Sequence, residues 1–158
     1  MRVAVLTISD SVSRGEREDA SGPAVVALCR GAGWELASTF CLPDDRKKIS
    51  AKLAELSDSG KLDLILTTGG TGIGPRDSTP EATQDIADRL IPGIAEEMRR
   101  KGLEKTPTAV LSRAVAACRG KTLILNLPGS PKGAAESLEA VAHLPPHAIR
   151  VLHGDRHD

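Results

Sequence analysis

Aromatic side chains are almost absent from this chain: one tryptophan, Trp34, one phenylalanine, Phe40, and no tyrosine. That removes the stacking platform on which single-stranded nucleic acid is usually held. It also means that any core must be built from Leu, Ile, Val and Ala, which the 40% apolar content can supply. Net charge is lacking too. Lys and Arg number 21 and Asp and Glu number 21, a balance that argues against binding to nucleic acid or to an anionic membrane through a broad electrostatic field. Long apolar runs are missing: none approaches the roughly 20 residues of a membrane span. Met1-Arg2 leads into Val3–Ile8 with no cleavage-site pattern behind it, so no signal peptide is expected and the cytoplasm is the expected compartment. Cysteine is sparse. Cys29, Cys41 and Cys118 are odd in number and far apart, which predicts free, mostly buried thiols in a reducing environment.

What is present is an alternation of strand-like and helix-like segments. Val3–Ile8 reads as a buried parallel strand, Trp34–Leu42 as a second, Leu62–Thr67 as a third and Leu123–Leu127 as a fourth. Helical spacing lies between them. Val25, Val26, Leu28 and Cys29 follow Ser21-Gly22-Pro23; Ile49, Leu53 and Leu56 share one face; so do Ala82, Ile86 and Leu90, and Ala134, Leu138 and Val141. Ser78 and Glu81 have capping-box spacing, while Thr79-Pro80 offers the alternative of proline in the first turn. Ile94–Lys101 resumes a helix after Pro92-Gly93, Pro107–Arg113 leans towards helix, and Val115–Cys118 suits a short strand joined by Arg119-Gly120 to the next. The pattern predicts one domain over residues 1–158, ending in a polar tail at 153–158. It is a three-layer α/β/α sandwich around a mainly parallel sheet.

In such sheets ligands bind beyond the carboxyl ends of the strands. The first strand runs into Ser9-Asp10, the second into Pro43-Asp44-Asp45, the third into Thr68-Gly69-Gly70-Thr71-Gly72 and the last into Pro128-Gly129-Ser130-Pro131. Together they predict one composite site. Glycine lets backbone N–H groups approach an anion, and the helix that follows adds its positive end. The Gly69–Gly74 spacing resembles a P-loop, but Pro75-Arg76 stands where Lys-Ser/Thr is required, and the GxGxxG dinucleotide fingerprint is absent. Arg76 could hold phosphate through its fork of donors. Asp77 suits either magnesium or a helix start. Asp44 and Asp45 suit a helix cap or the crevice, and Ser130 and Lys132 suit a second anion or a cap and a solvated lysine. His143, His147, His153 and His157 cluster near the C-terminus, but Pro145-Pro146 separates the first two. No rigid set of three or four zinc ligands is readable there. The run Glu96–Lys101 reads as a solvated helix face.

Thr67-Thr68-Gly69-Gly70-Thr71-Gly72 followed by Pro75-Arg76-Asp77-Ser78-Thr79-Pro80-Glu81-Ala82-Thr83 resembles the signature of the Mog/MoaB family of molybdenum-cofactor biosynthesis. Ser9-Asp10 with Asp19-Ser21-Gly22, Pro43-Asp44, Leu111-Ser112-Arg113 and Leu125–Pro131 agree with it, and the match runs from about residue 3 to residue 152. The resemblance implies a molybdopterin-binding fold and a homotrimer. It implies adenylyl transfer from MgATP to the terminal phosphate of molybdopterin, with pyrophosphate released and the product passed to a molybdenum insertase. By motif, the family's two catalytic aspartates fall on Asp44 and Asp77, which are also the candidate Mg2+ ligands. The expected binding residues are Ser9, Asp10, Thr68, Gly69, Gly70, Thr71, Gly72, Arg76, Pro128, Gly129, Ser130 and Lys132. Two other readings share the resemblance: a carrier that binds molybdopterin without turnover, and a metal-insertase domain.

Overall fold

The computed structural model describes residues 1–156. Strands β1 (Arg2–Ile8), β2 (Glu35–Leu42), β3 (Leu64–Thr68), β4 (Arg89–Leu90), β5 (Ala116–Arg119) and β6 (Thr122–Leu127) form one sheet in the order β2-β1-β3-β6-β5-β4. The first four in that order run parallel; β5 pairs antiparallel with β6 and β4 antiparallel with β5. Helices α1 (Asp10–Ser13), α2 (Ser21–Gly31), α3 (Arg46–Asp58), α4 (Thr79–Ile86), α5 (Pro92–Leu103), α6 (Pro131–Val141) and α7 (Pro145–Leu152) surround it, with a 3-10 turn at Pro107–Leu111.

The three layers follow from the alternation of side chains along each strand. Val3, Val5, Leu64, Leu66, Leu123 and Leu125 point to one face and pack against Val25 and Cys29 of α2, Ile94 and Met98 of α5, Leu138 of α6 and Ile149 of α7. Ala4, Leu6, Ile65 and Ile124 point to the other face and meet Ile49, Leu53 and Leu56 of α3 and Ala82 of α4. A central strand covered on both faces is mainly apolar, and any polar side chain in it must be hydrogen-bonded. β3 and β6 are buried at every position, whereas the edge strand β2 alternates exposed and half-buried residues. The predicted α/β/α sandwich is therefore what forms, with an antiparallel edge that the simple alternation of strands and helices did not contain.

Two local expectations change. Leu90 does not continue the face of Ala82 and Ile86: α4 ends at Ile86, and Leu90 lies in β4, about half exposed, opposite Ala117. Cross-strand pairing with β5 overrides helical spacing here. The Ser78–Glu81 capping box does not form either. Ser78 makes no side-chain cap bond, Pro80 sits in the first turn, and Glu81 is drawn to Arg113. The three thiols are free and mostly buried, as expected: Cys29 and Cys118 are buried and Cys41 is exposed. Burial pushes the Cys29 thiol up to about 11. At the C-terminus, His153 follows α7 and approaches Asp63; the last two residues of the expected tail, His157 included, lie outside the described residues.

Candidate active site

All four parallel strands deliver their carboxyl ends to one side of the molecule, and the loops there are tied to one another. Thr68, expected to open the loop, is the last residue of β3, and its Oγ1 donates to Pro128 O at 2.6 Å. Gly69 N–H donates to Leu127 O. Gly129 packs so closely on Gly69 that a Cβ on Gly129 would stand 3.3 Å from Gly69 Cα. Glycine is obligatory at Gly69, where φ is +108 and a Cβ would overlap the Ile8 carbonyl. Beneath these loops, buried Asn126 donates to Thr67 Oγ1 and Thr83 Oγ1 and accepts from Val115 N–H. This joins β6, β3 and α4, with every polar partner satisfied.

Two crevices open on this surface. One, of about 490 Å³, is lined by Gly70, Thr71, Gly72, Asp77, Pro128, Gly129 and Ser130, with Met98, Arg99 and Leu111 among the residues on its far side. The other, of about 510 Å³, is lined by Ser9, Asp44, Thr68, Gly69, Gly70, Asp77, Gly129 and Ser130, together with Arg17, Asp19 and Ser21. Gly70, Asp77, Gly129 and Ser130 belong to both. Cavities of this size each suit a small-molecule ligand, and the two crevices adjoin along that shared wall.

The carboxylates divide by environment. Asp44 Oδ2 accepts from Asp10 N–H and Asp10 Oδ1 accepts from Asp44 N–H, both at 3.0 Å, which locks the β1 and β2 loops together. Burial, opposed by that hydrogen bond and reinforced by the negative charges of Asp10 and Asp77, raises the Asp44 carboxyl above its ordinary range. Asp10 is held low by its hydrogen bonds from Arg76, at 3.0 and 3.1 Å. Asp77 Oδ2 accepts from Gly74 N–H at 2.9 Å, and the absence of side chains at Gly72 and Gly74 makes room for its carboxylate. Asp45 caps α3, accepting from Lys48 N–H.

Several expected binding groups are otherwise engaged. The fork of Arg76 grips Asp10, and neither residue lines a crevice. Ser9 Oγ accepts from Val12 N–H and Ser130 Oγ from Gly133 N–H, so both are helix caps on the crevice wall. Lys132 lines neither crevice; its side chain is 85% exposed and 3.9 Å from Glu136. Conversely, sequence reasoning missed Arg17 and Arg99. Arg17 lines the second crevice and reaches Ser9 Oγ at 3.4 Å. Arg99 lies in the run read as a solvated face but donates inward to Ser112 O and Ala114 O. Helical spacing offered a signal, because Arg99 neighbours buried Met98 and sits one turn beyond buried Ala95.

The donor chemistry fits a magnesium ion. Asp44 and Asp77 both line the second crevice as hard oxygen donors, and the negative charges of Asp10 and Asp77, which add to burial in raising Asp44, are what a cation relieves. Among the described residues no group of three or more His, Cys, Asp and Glu side chains converges as a closed metal cage. An ion held by one or two carboxylates and completed by phosphate oxygens needs none.

Paired crevices at the carboxyl edge of a parallel sheet, joined by a glycine loop and two carboxylates, are the place where α/β proteins of this class bind small molecules. The family described as "Probable molybdopterin binding domain" matches residues 4–147, and the chain belongs to that family. It is 39% identical over 165 residues to the molybdopterin adenylyltransferase of Helicobacter pylori strain 26695, covering 98% of this chain and 89% of that one. It is 44% identical over 144 residues to the Escherichia coli K12 protein of the same name, covering 89% and 73%. Among solved structures, the molybdopterin biosynthesis enzyme MoaB of Thermus thermophilus superposes with a TM-score of 0.91 at 53% identity, covering 98% of this chain and 97% of that one.

Proposed function

We infer that this protein is an enzyme of molybdenum-cofactor biosynthesis, a molybdopterin adenylyltransferase acting on molybdopterin and ATP. The observation that carries the reading is the shared wall. Asp77, Gly70, Gly129 and Ser130 face both crevices, so a pterin phosphate in one and a nucleotide phosphate in the other meet beside the same carboxylate.

An oxygen of the pterin's terminal phosphate attacks the α-phosphorus of ATP. A new P–O–P bond forms, the bond from the α-phosphorus to the bridging oxygen breaks, and pyrophosphate leaves with the electron pair. Little covalent work falls to the protein in such a transfer, so positioning and neutralisation of charge dominate. The N–H groups of Gly70, Thr71 and Gly72, with Gly69 N–H spent on Leu127 O, and the positive end of the α6 dipole face the phosphate oxygens. Arg17 is the cation lining the second crevice together with Asp44. Magnesium, when bound, would be held by Asp44 and Asp77 and would neutralise phosphate charge.

The family resemblance supports a homotrimer in the cytoplasm that hands its product to a molybdenum insertase. Exposed Ile73, Val110 and Leu111 give apolar surface that an assembly would cover. No helix among the described residues is long and apolar enough to cross a membrane. Sedimentation at three times 16.6 kDa is the expected result, and a monomer would remove the trimer from the account.

The test of the activity is anaerobic incubation with molybdopterin, ATP and magnesium. Pyrophosphate release that depends on the pterin is expected. Pterin binding without release would instead make the chain a carrier.

A further inference from the structure

The glycine loop holds its shape through its carbonyls. Gly69 O accepts from Thr79 Oγ1 and Gly70 O from Thr79 N–H, while Thr71 O accepts from Arg113 N–H. The rest depends on one guanidinium. Arg113 Nε donates to Gly72 O at 2.7 Å, Nη2 donates to Asp77 O at 3.0 Å, and Nη1 is paired with Glu81 Oε1. The planar fork of arginine can serve three acceptors in fixed directions, which the point charge of lysine cannot. Its two carbonyl acceptors are the two ends of the turn from Gly72 to Asp77.

Within that turn, Asp77 N–H donates to Gly74 O and Gly74 N–H donates back to Asp77 Oδ2 at 2.9 Å. The carboxylate is thus aimed by the turn that carries it, and Ile73 at the tip of that turn is 71% exposed. Glu81 in turn fixes the guanidinium. Its Oε2 is buried with no hydrogen-bond partner among the described residues, an arrangement that costs free energy, while its Oε1 pairs with Arg113.

We propose that Arg113, held by Glu81, is the positioning residue for Asp77: its guanidinium clamps both ends of the 72–77 turn and so sets where the Asp77 carboxylate stands at the junction of the two crevices. Arg113 lines neither crevice, so it acts on the reaction only through that turn. The assignment of kinetic consequences rests on the adenylyl-transfer reading; the positioning itself does not.

The test uses Arg113→Lys, which keeps charge and loses the fork, with Glu81→Ala and Glu81→Gln beside it. Gly74 N–H is the reporter, because its acceptor is the Asp77 carboxylate. In Arg113→Lys we expect the Gly74 amide resonance to move and its hydrogen exchange to quicken, at a melting temperature near that of the parent. We also expect kcat to fall ten- to a hundredfold with KM for ATP changed less than threefold. Glu81→Ala should follow the same course and serves if Arg113→Lys fails to fold. Glu81→Gln, which keeps an acceptor for Nη1, should recover kcat to within threefold of the parent. Parent-like Gly74 resonance and kcat in Arg113→Lys would overturn the proposal, as would a loss of activity that only tracks the folded fraction. A parent protein without turnover, in which Gly74 still responds to Arg113→Lys, would overturn the adenylyl-transfer reading and uphold the positioning role.

Discussion

The two ends of β3 carry the same residue type in similar backbones and use it differently. Gly60 precedes the strand at φ +69 and Gly69 follows it at φ +108. A Cβ on Gly60 would meet nothing within 4 Å, whereas one on Gly69 would overlap the Ile8 carbonyl. Charges differ in the same way. At the amino end, Arg2 N–H donates to Asp63, and Arg2 reaches Lys61 O and exposed Glu35. Those groups pair off in water. At the carboxyl end, half-buried Asp44 lies near the charges of Asp10 and Asp77 with its ionised form disfavoured. The difference teaches that charge and glycine mark function here only where close packing and crowded like charge make them costly.

The largest effect expected of that contrast is on turnover. Asp77→Asn should lower kcat by roughly a hundred- to a thousandfold and leave the fold intact, while Asp63→Asn at the opposite end should leave kcat unchanged. Equal losses at both ends would erase the distinction. Asp44→Asn should also lose turnover yet melt no lower than the parent, since burial already disfavours its charge; a clear fall in melting temperature would mean that its charge stabilises the fold.

Next comes stability at the glycines. Gly69→Ala combines left-handed strain of roughly 1–2 kcal/mol with overlap on backbone that cannot yield, and should cost on the order of 3 kcal/mol or more. Gly60→Ala carries the strain alone, about 1 kcal/mol. Chemical denaturation of the pair measures the difference directly.

Acid stability is a smaller effect. Hydrogen bonds from Arg76, Arg119 and Arg46 hold Asp10, Asp58 and Asp85 below their ordinary value of 3.8. Glu81 is also held below its ordinary 4.5: burial pushes the other way, but the pairing with Arg113 and the neighbouring charges outweigh it. A depressed folded-state pKa gives stability that is complete above the unfolded value and lost as pH falls through the folded one. Melting temperature should therefore be flat above about pH 5 and decline from about pH 4 downwards. Smallest of all, Glu35→Gln at the exposed Arg2 pair should change stability by less than about 1 kcal/mol.

Much of this was legible in the chain itself. The β-branched and Leu runs mark strands buried on both faces, and the residue types beyond their ends mark the site, because a parallel sheet gathers those ends on one side. What stayed hidden depends on partners distant in sequence. The fork of Arg76, read as a candidate for phosphate, pairs with Asp10 brought to it from 66 residues away. Glu81 looked like half of a capping box until Arg113 arrived from beyond α5. Local spacing shows which bonds a residue can make with its neighbours, not which distant group will outcompete them. Leu90 failed for the same reason, its helical spacing overridden by pairing with Ala117.

The central claim is that two phosphorylated ligands meet at Asp77. Its most direct measurement is the mass of the product formed from molybdopterin and MgATP by the parent protein and by Asp77→Asn, with binding of each substrate measured alongside. Adenylylated pterin from the parent alone, with both proteins binding both substrates, is the expected result. Adenylylated pterin formed at the parent rate by Asp77→Asn would contradict it.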